Sequence, residues 1–107
     1  MTPIVRPDVS QKPATVVDAL RRLRGVTDVG HTYLDGAAKP SFFSFDALNE
    51  AAETRGRRLL GLGLKKGDRV GMVLSQPRDF VISFLGCLYA GLVPVPIDTT
   101  SMLASVA

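Results

Sequence analysis

The chain has 107 residues, the size of one small domain, and 46% of them are hydrophobic, which excludes a wholly disordered protein. Its one cysteine excludes an intrachain disulfide framework and indicates a reducing compartment, so we predict a cytoplasmic protein. The net charge of +3 resides largely in two arginine groups without interleaved aromatic residues, and we predict no nucleic-acid partner. These groups are Arg21, Arg22 and Arg24, and Arg55, Arg57 and Arg58.

The first residues do not have the pattern of a secretory signal, because no apolar run follows a basic start. Residues 1–13 contain three of the seven prolines and no apolar period, which predicts an extended leader ahead of a domain over residues 14–107. Thr15, followed three residues later by Asp18, forms a partial capping box and predicts a short helix that ends at Gly25.

Two short β-favourable runs, residues 32–34 and 42–45, flank a connector that begins with Asp35-Gly36. Because Asp-Gly is a strong turn signal, this pattern predicts an antiparallel hairpin. A helix should follow at once, with Ser44 as its N-cap and with Gly61 and Gly63 at its end. The apolar face of this helix is predicted to carry Leu48, Ala52, Leu59 and Leu62. Its solvent-facing flank is predicted to carry Asp46, Glu50 and Glu53.

The last third of the chain predicts a strand, a helix and a second strand. Residues 69–74 are apolar at successive positions, the pattern of a parallel strand covered on both faces. Pro77 suits the first helical position before a helix over residues 78–90, and Gly91 should stop that helix. Residues 92–97 predict the second strand, which Pro94 and Pro96 confine to an edge. The predicted fold class is α/β, with an N-terminal hairpin and helix followed by a βαβ unit.

The helix over residues 78–90 is apolar on nearly all sides, which predicts protein on more than one side of it. Residues 80–97 are uncharged, but two glycines and two prolines interrupt them, so no membrane span is expected. Two strands cannot bury such a helix, and each Phe or Leu left exposed forgoes about 1.5–3 kcal/mol. The pattern therefore indicates an incomplete domain, whose remainder is an expected partner.

We assign no catalytic, cofactor-binding or metal-ligating residue from the sequence. The glycine-rich run over residues 61–68 follows a helix, whereas a phosphate loop follows a strand and opens a helix. Ser75-Gln76-Pro77 has the topology of a ligand-binding turn but offers one hydroxyl and no glycine. Cys87 lies in an apolar run far from His31, the single histidine, and no acidic or histidine cluster has metal-ligand spacing. Thr99-Thr100-Ser101 is interpreted as a helix cap.

Four stretches carry a resemblance to a known family: residues 32–35 with 43–48, residues 52–70, residues 76–81, and residues 84–91 with 93–96. They include Gly67-Asp68-Arg69-Val70 and the pair Ala90-Gly91 and Val93-Pro94. In this order they resemble the opening segment of the adenylate-forming enzymes, which include acyl-CoA synthetases, fatty acyl-AMP ligases and peptide-synthetase adenylation domains. The run Phe84-Leu85-Gly86-Cys87-Leu88-Tyr89-Ala90-Gly91 is similar to the fatty acyl-AMP ligase branch.

The resemblance implies an incomplete part of the large N-terminal domain of an enzyme that uses ATP and Mg²⁺ to convert a fatty acid to an acyl-adenylate. The acyl group would then pass to a carrier-protein or CoA thiol. The family's phosphate loop, its adenine and Mg²⁺ motif, its ribose-binding Asp and its catalytic Lys come later than the position of Ala107. Residues 14–107 are therefore expected to be a truncated adenylation subdomain that is inactive alone and contributes scaffold.

Two alternatives stay open at this stage. One is a stand-alone, non-catalytic interaction module with the same partial fold, which would melt cooperatively and bind a defined protein. The other is a basic nucleic-acid binder, whose affinity for DNA or RNA would fall steeply with salt.

Overall fold

The computed structural model describes residues 12–34, 40–73 and 76–97. In chain order they form α1 (Val16–Arg21), β1 (Gly30–Tyr33), β2 (Ser41–Ser44), α2 (Phe45–Gly61), β3 (Arg69–Met72), α3 (Pro77–Ala90) and β4 (Val93–Pro96). β1 pairs antiparallel with β2, and β3 pairs parallel with β4, so the predicted α/β organisation is confirmed. Four sequence features lie outside the described residues: positions 1–11 of the leader, Asp35-Gly36, Ser75 and residues 99–101.

Helix α1 starts as the sequence predicts but ends earlier. Thr15 Oγ1 accepts a hydrogen bond from the Asp18 amide at 3.0 Å, which is the expected N-cap. The helix ends at Arg21 rather than at Gly25. The amides of Leu23, Arg24 and Val26 donate to carbonyls three residues earlier, which tightens the chain into turns and stops the α-helical ladder.

Helix α2 begins directly at the end of the hairpin. Ser44 Oγ accepts a hydrogen bond from the Ala47 amide at 3.1 Å, as predicted. The helix ends at Gly61, and Gly63 adopts the left-handed conformation, with φ at +97°. Leu62 therefore lies beyond the helix and is 79% exposed, so its predicted place on the apolar face is wrong.

Two glycines allow α2 and α3 to pack against each other at very short range. A Cβ atom added to Gly56 would lie 2.7 Å from the Gly86 carbonyl oxygen. A Cβ added to Gly86 would in turn lie 3.0 Å from the carbonyl oxygen of Ala52. Gly56 and Ala52 are buried on the face of α2 that meets α3, so this crossing requires small residues at both helices.

Helix α3 lies between two apolar clusters, in agreement with its predicted burial. The first cluster has at its centre Leu20, Leu48 and Ile82. The second has at its centre Met72, Cys87 and Leu92. Half-buried side chains of α3 pack against both clusters. Val81, Leu85 and Tyr89 pack against the first cluster, and Phe80 and Phe84 pack against the second. This helix therefore connects the N-terminal half of the fold to the β3–β4 pair.

The β3–β4 pair is covered on one face within the described residues. Val70 and Met72 point toward the second cluster, while Arg69, Gly71 and Val73 are exposed. The prediction that protein covers both faces of this strand is therefore not met by the described part of the chain alone. The strand is also shorter than predicted, because its ladder ends at Met72.

The hydrogen bonds between β3 and β4 define which edge of each strand is used. The carbonyls of Asp68 and Met72 accept from the amides of Val93 and Ile97, at 2.8 and 2.9 Å. Because a parallel strand turns alternate residues toward one neighbour, the even-numbered residues of β3 and the odd-numbered residues of β4 face each other.

Pro94 and Pro96 therefore occupy the positions of β4 that turn away from β3. Since proline has no amide hydrogen, the outer edge of β4 offers carbonyl acceptors but no donors at these two positions. Within the described residues the two prolines thus lie at an edge of the sheet, as the sequence predicts. Among the described helices, none is long and apolar enough to cross a membrane.

Candidate functional site

The glycine-rich stretch between α2 and β3 forms a tight turn with internal hydrogen bonds. Asp68 Oδ2 accepts from the Lys65 amide at 2.7 Å, and the Asp68 amide donates to the Lys65 carbonyl at 2.9 Å. The Gly67 amide donates to the Gly91 carbonyl at 2.8 Å, just beyond the C-terminal end of α3. These amides are engaged within the fold, so the predicted helix stop and turn are present, and the absence of a phosphate cradle stays a prediction.

Cys87 is fully buried in the second apolar cluster. Burial raises the pKa of its thiol, which disfavours the reactive thiolate. His31 lies instead on β1, where its Nδ1 is 3.3 Å from the Tyr33 hydroxyl. The structure therefore gives Cys87 the packing role that its apolar sequence context predicts.

Several of the arginines contact other elements of the fold. Arg24 forms an ion pair with Glu53 of α2, and the guanidinium carbon of Arg21 lies 5.2 Å from the centre of the Tyr89 ring. From the second group, Arg55 donates a hydrogen bond to Ser83 Oγ at 2.6 Å. These contacts join α1, α2 and α3, and the absence of a nucleic-acid partner stays a prediction.

The acidic flank predicted for α2 is only partly exposed to solvent. Asp46 Oδ1 accepts a hydrogen bond from the Gly25 amide at 2.8 Å, because the segment after α1 folds back onto the start of α2. Glu53 is paired with Arg24, whereas Glu50 is exposed. The prediction of three solvated carboxylates is therefore wrong for Asp46 and Glu53, and they form no acid–base pair.

Asn49 is a buried polar residue that the sequence analysis did not single out. It is 2% exposed, and its Nδ2 donates to the Leu20 carbonyl at 2.6 Å and to the Phe45 carbonyl at 3.1 Å. Its Oδ1 accepts a hydrogen bond from the Tyr89 hydroxyl, and burial raises the pKa of that phenol. One feature of the sequence did indicate this residue: the side-chain amide follows Leu48 directly, on the apolar side of the predicted helix.

A groove runs along β3. Its volume is about 340 Å³, and no residue of β4 lines it. Apolar side chains and the β3 backbone form most of its wall, and Arg55 and Ser83 supply the polar groups. The lining residues are Arg55, Leu59, Val70, Gly71, Met72, Val73, Ser83 and Cys87. No pattern in the sequence indicates this groove, because it depends on how α2, α3 and β3 meet.

The protein-family comparison finds a match to the AMP-binding enzyme family over residues 25–107, which is more than half of the chain. The chain belongs to the AMP-binding enzyme family. The match covers everything from the turn after α1 onward, including both helices of the glycine crossing and the β3–β4 pair. The resemblance to the adenylate-forming enzymes is thereby confirmed.

Three relatives illustrate the similarity within the AMP-binding family. A putative acyl-CoA synthetase of Caulobacter vibrioides is 45% identical over 49 residues, which are 46% of this chain and 9% of that protein. The solved fatty acyl-adenylate ligase from L. pneumophila superposes with a TM-score of 0.68 at 31% identity, over 76% of this chain and 14% of that one. The adenylation domain of a keto acid-selecting NRPS module superposes with a TM-score of 0.73 at 32% identity. The superposition covers 86% of this chain and 18% of that one.

The chain spans less than a fifth of the length of each of these relatives. Within residues 12–34, 40–73 and 76–97, no group of three His, Cys, Asp or Glu side chains could hold a metal ion. The one glycine-rich loop considered above uses its amides internally. The described residues therefore offer no set of ligands for Mg²⁺, and the amides named in this loop are not free to cradle a phosphate.

Proposed function

We propose that this chain is part of the adenylation domain of an ATP-dependent acid–AMP ligase, in which it contributes scaffold and no catalytic group. The match to the AMP-binding family over residues 25–107 carries this proposal. The remainder of the domain is the partner of the chain, and it supplies the sites for ATP and Mg²⁺. The chain alone is inactive, and the enzyme works in the cytoplasm.

The substrate of the enzyme is a fatty acid, and the acceptor is a carrier-protein or CoA thiol. Two observations support this choice. The solved fatty acyl-adenylate ligase superposes on 76% of the chain, and the run Phe84-Leu85-Gly86-Cys87-Leu88-Tyr89-Ala90-Gly91 has the pattern of that branch. The keto acid-selecting domain is equally similar in sequence, so a keto acid is the competing substrate class.

The substrate is tested by expressing the chain within its complete reading frame and trapping the acyl-adenylate with hydroxylamine. The purified protein is given ATP, Mg²⁺ and one of three acids: dodecanoate, benzoate or a mixture of amino acids. We expect dodecanoyl hydroxamate in excess over the products of the other acids, because the enzyme should activate a fatty acid. A matched sample without ATP controls for non-enzymatic acylation.

The three alternative outcomes are distinct. Aryl or aminoacyl hydroxamate alone would keep the ligase and reject the fatty acid. No hydroxamate and no pyrophosphate release with any acid, in a protein that melts cooperatively, would reject the ligase and favour a non-catalytic interaction module. Release of pyrophosphate without hydroxamate would show that the acyl-adenylate forms but is sheltered from hydroxylamine, and its direct detection by mass spectrometry then identifies the acid.

A further inference from the structure

A second groove, the α1–α3 groove, lies between α1 and the C-terminal end of α3. Its volume is about 650 Å³, and it shares no lining residue with the groove along β3. Val16 and Val17 line it from α1, and Leu88 and Leu92 line it from the end of α3 and the residue that follows. Val16 is 59% exposed, so apolar surface of this groove is open to solvent. A largely apolar cleft of this volume is typical of sites for small molecules.

Two cationic side chains also line the α1–α3 groove. Arg21 is the last residue of α1, and its guanidinium carbon lies 5.2 Å from the centre of the Tyr89 ring. Lys66 comes from the turn before β3, and its stem packs on Gly91, where an added Cβ would lie 3.1 Å from Lys66 Cγ. Both side chains therefore rest on α3 or its end through non-polar contacts, which leaves their charged groups available.

No acidic group balances these two charges within the groove. None of its described lining residues is acidic. The carboxylates on the adjoining helices are engaged, since Asp18 pairs with Arg22 at 3.2 Å and Glu53 pairs with Arg24. Within residues 12–34, 40–73 and 76–97, neither Arg21 nor Lys66 forms an ion pair. The groove thus combines an apolar wall with two uncompensated positive charges.

The C-terminal end of α3 would repel an anion if its carbonyls were free. Local hydrogen bonds already occupy several of them. The carbonyls of Cys87 and Leu88 accept from the amides of Leu92 and Gly91, at 2.8 and 3.2 Å. The Gly91 carbonyl accepts from the Gly67 amide at 2.8 Å. An anion held by Arg21 and Lys66 therefore does not face a row of unpaired acceptors.

We propose that the α1–α3 groove binds a fatty acid anion, as a binding site that takes no part in adenylation. Its alkyl chain lies along Val16, Val17 and Leu88, and its carboxylate is held by Arg21 and Lys66. An inorganic anion would leave the apolar wall in water, and a neutral lipid would leave both cations without a partner. The inference does not rest on the proposed function, because the class of ligand follows from the lining residues alone.

The test titrates the ¹⁵N-labelled 107-residue chain with octanoate, below its micelle concentration and without ATP, and follows the amide shifts by NMR. We expect saturable shifts at Val16, Val17 and Leu88, and none at Thr32 in the distant hairpin strand β1. Acetate has the charge without the chain, and 1-octanol has the chain without the charge. We expect acetate to produce no saturable shift, and 1-octanol to bind about tenfold more weakly than octanoate.

Variants of the two cations separate charge pairing from general adsorption of an amphiphile. Arg21→Gln and Lys66→Gln should each weaken octanoate binding by about threefold, and the double variant by about tenfold. Binding of 1-octanol should not change. Lys65→Gln is the matched control, because Lys65 is the exposed neighbour of Lys66 and does not line the groove. Circular dichroism checks that each variant is folded.

Three results would overturn the proposal. The first is equal affinity for octanoate and 1-octanol, and the second is an equal loss of affinity in Lys65→Gln and Lys66→Gln. The third is a set of shifts that spreads over the whole chain without saturation, as expected for non-specific adsorption.

An acidic amphipathic helix of a partner protein is the competing occupant of the α1–α3 groove. A helical peptide with one face of leucine and flanking glutamates serves as its probe. Saturable shifts at Val16 and Leu88 with this peptide, and none with millimolar octanoate, would identify a helix and contradict our choice. None of these measurements uses ATP or reports acyl transfer, so this proposal and the ligase proposal can fail separately.

Discussion

Replacing Gly56 with alanine should lower the free energy of unfolding by about 1–3 kcal/mol, the usual cost of overpacking a core. The added methyl group would lie 2.7 Å from the Gly86 carbonyl oxygen, which is main chain and cannot move aside without shifting α3. Such a loss would lower the melting temperature by several degrees in a domain of this size. Urea denaturation, monitored by circular dichroism, measures this loss of stability. An unchanged dependence of the unfolding free energy on urea concentration would show that the folded state is otherwise intact.

Gly61 provides the matched control for this substitution. It is also in α2, and a Cβ added there would meet no atom within 4 Å. Alanine in an unhindered helical position stabilises by about 0.5–1 kcal/mol, so Gly61→Ala should leave stability unchanged or raise it. Equal effects of the two substitutions would show that the close α2–α3 crossing does not exist in solution.

Replacing Asn49 with leucine should also have a large effect and lower the free energy of unfolding by about 2–4 kcal/mol. The side chain is 2% exposed and donates to the carbonyls of Leu20 and Phe45. Leucine has a similar size but would leave the Leu20 carbonyl and the Tyr89 hydroxyl without their partner in a poorly hydrated region. The same denaturation experiment measures the loss.

Tyr89→Phe controls for the contribution of the phenol alone. It removes one hydrogen bond to Asn49 and keeps the ring under Arg21, so we expect a loss of about 1 kcal/mol. In the double variant the two losses should sum to more than the measured total, because both residues belong to one network. Strict additivity would mean that Asn49 and Tyr89 do not interact, and full stability of Asn49→Leu would exclude the buried network altogether.

The local signals of the sequence predicted the start of each helix well. Thr15 and Ser44 cap helices through hydrogen bonds to nearby amides, and Gly91 ends α3 with φ at +76°. These features depend on neighbours a few residues away, so the sequence contains all the information that they need. Pattern alone also gave the antiparallel hairpin and the parallel pair, because strand–helix–strand order restricts the topology.

Two features that the sequence did not predict depend on contacts between distant residues, and a third depends on where a helix ends. The glycine crossing requires Gly56 and Gly86 to meet, and they are thirty positions apart. Asn49 is polar at a position where the helical period predicts burial, and its three partners come from different turns and helices. Leu62 was misplaced because the apolar period continued past the residue where the helix actually ends.

The candidate groove beside β3 could not be found from the sequence for the same reason. Its wall combines residues of α2, β3 and α3. Arg55 comes close to β3 only because these three elements pack together. The prolines of β4 were the one local clue, since they indicated which strand would not accept a neighbour on its outer side.

The central claim, that this chain supplies scaffold but no catalytic group, is tested most directly by ATP–pyrophosphate exchange with the purified 107-residue chain. The assay contains Mg²⁺ and dodecanoate, and circular dichroism confirms that the chain is folded. We predict no exchange above the protein-free blank, because the described residues offer no set of ligands for Mg²⁺ and the engaged amides of the glycine-rich loop are not free to cradle a phosphate. Exchange that requires the acid and scales with chain concentration would contradict the account.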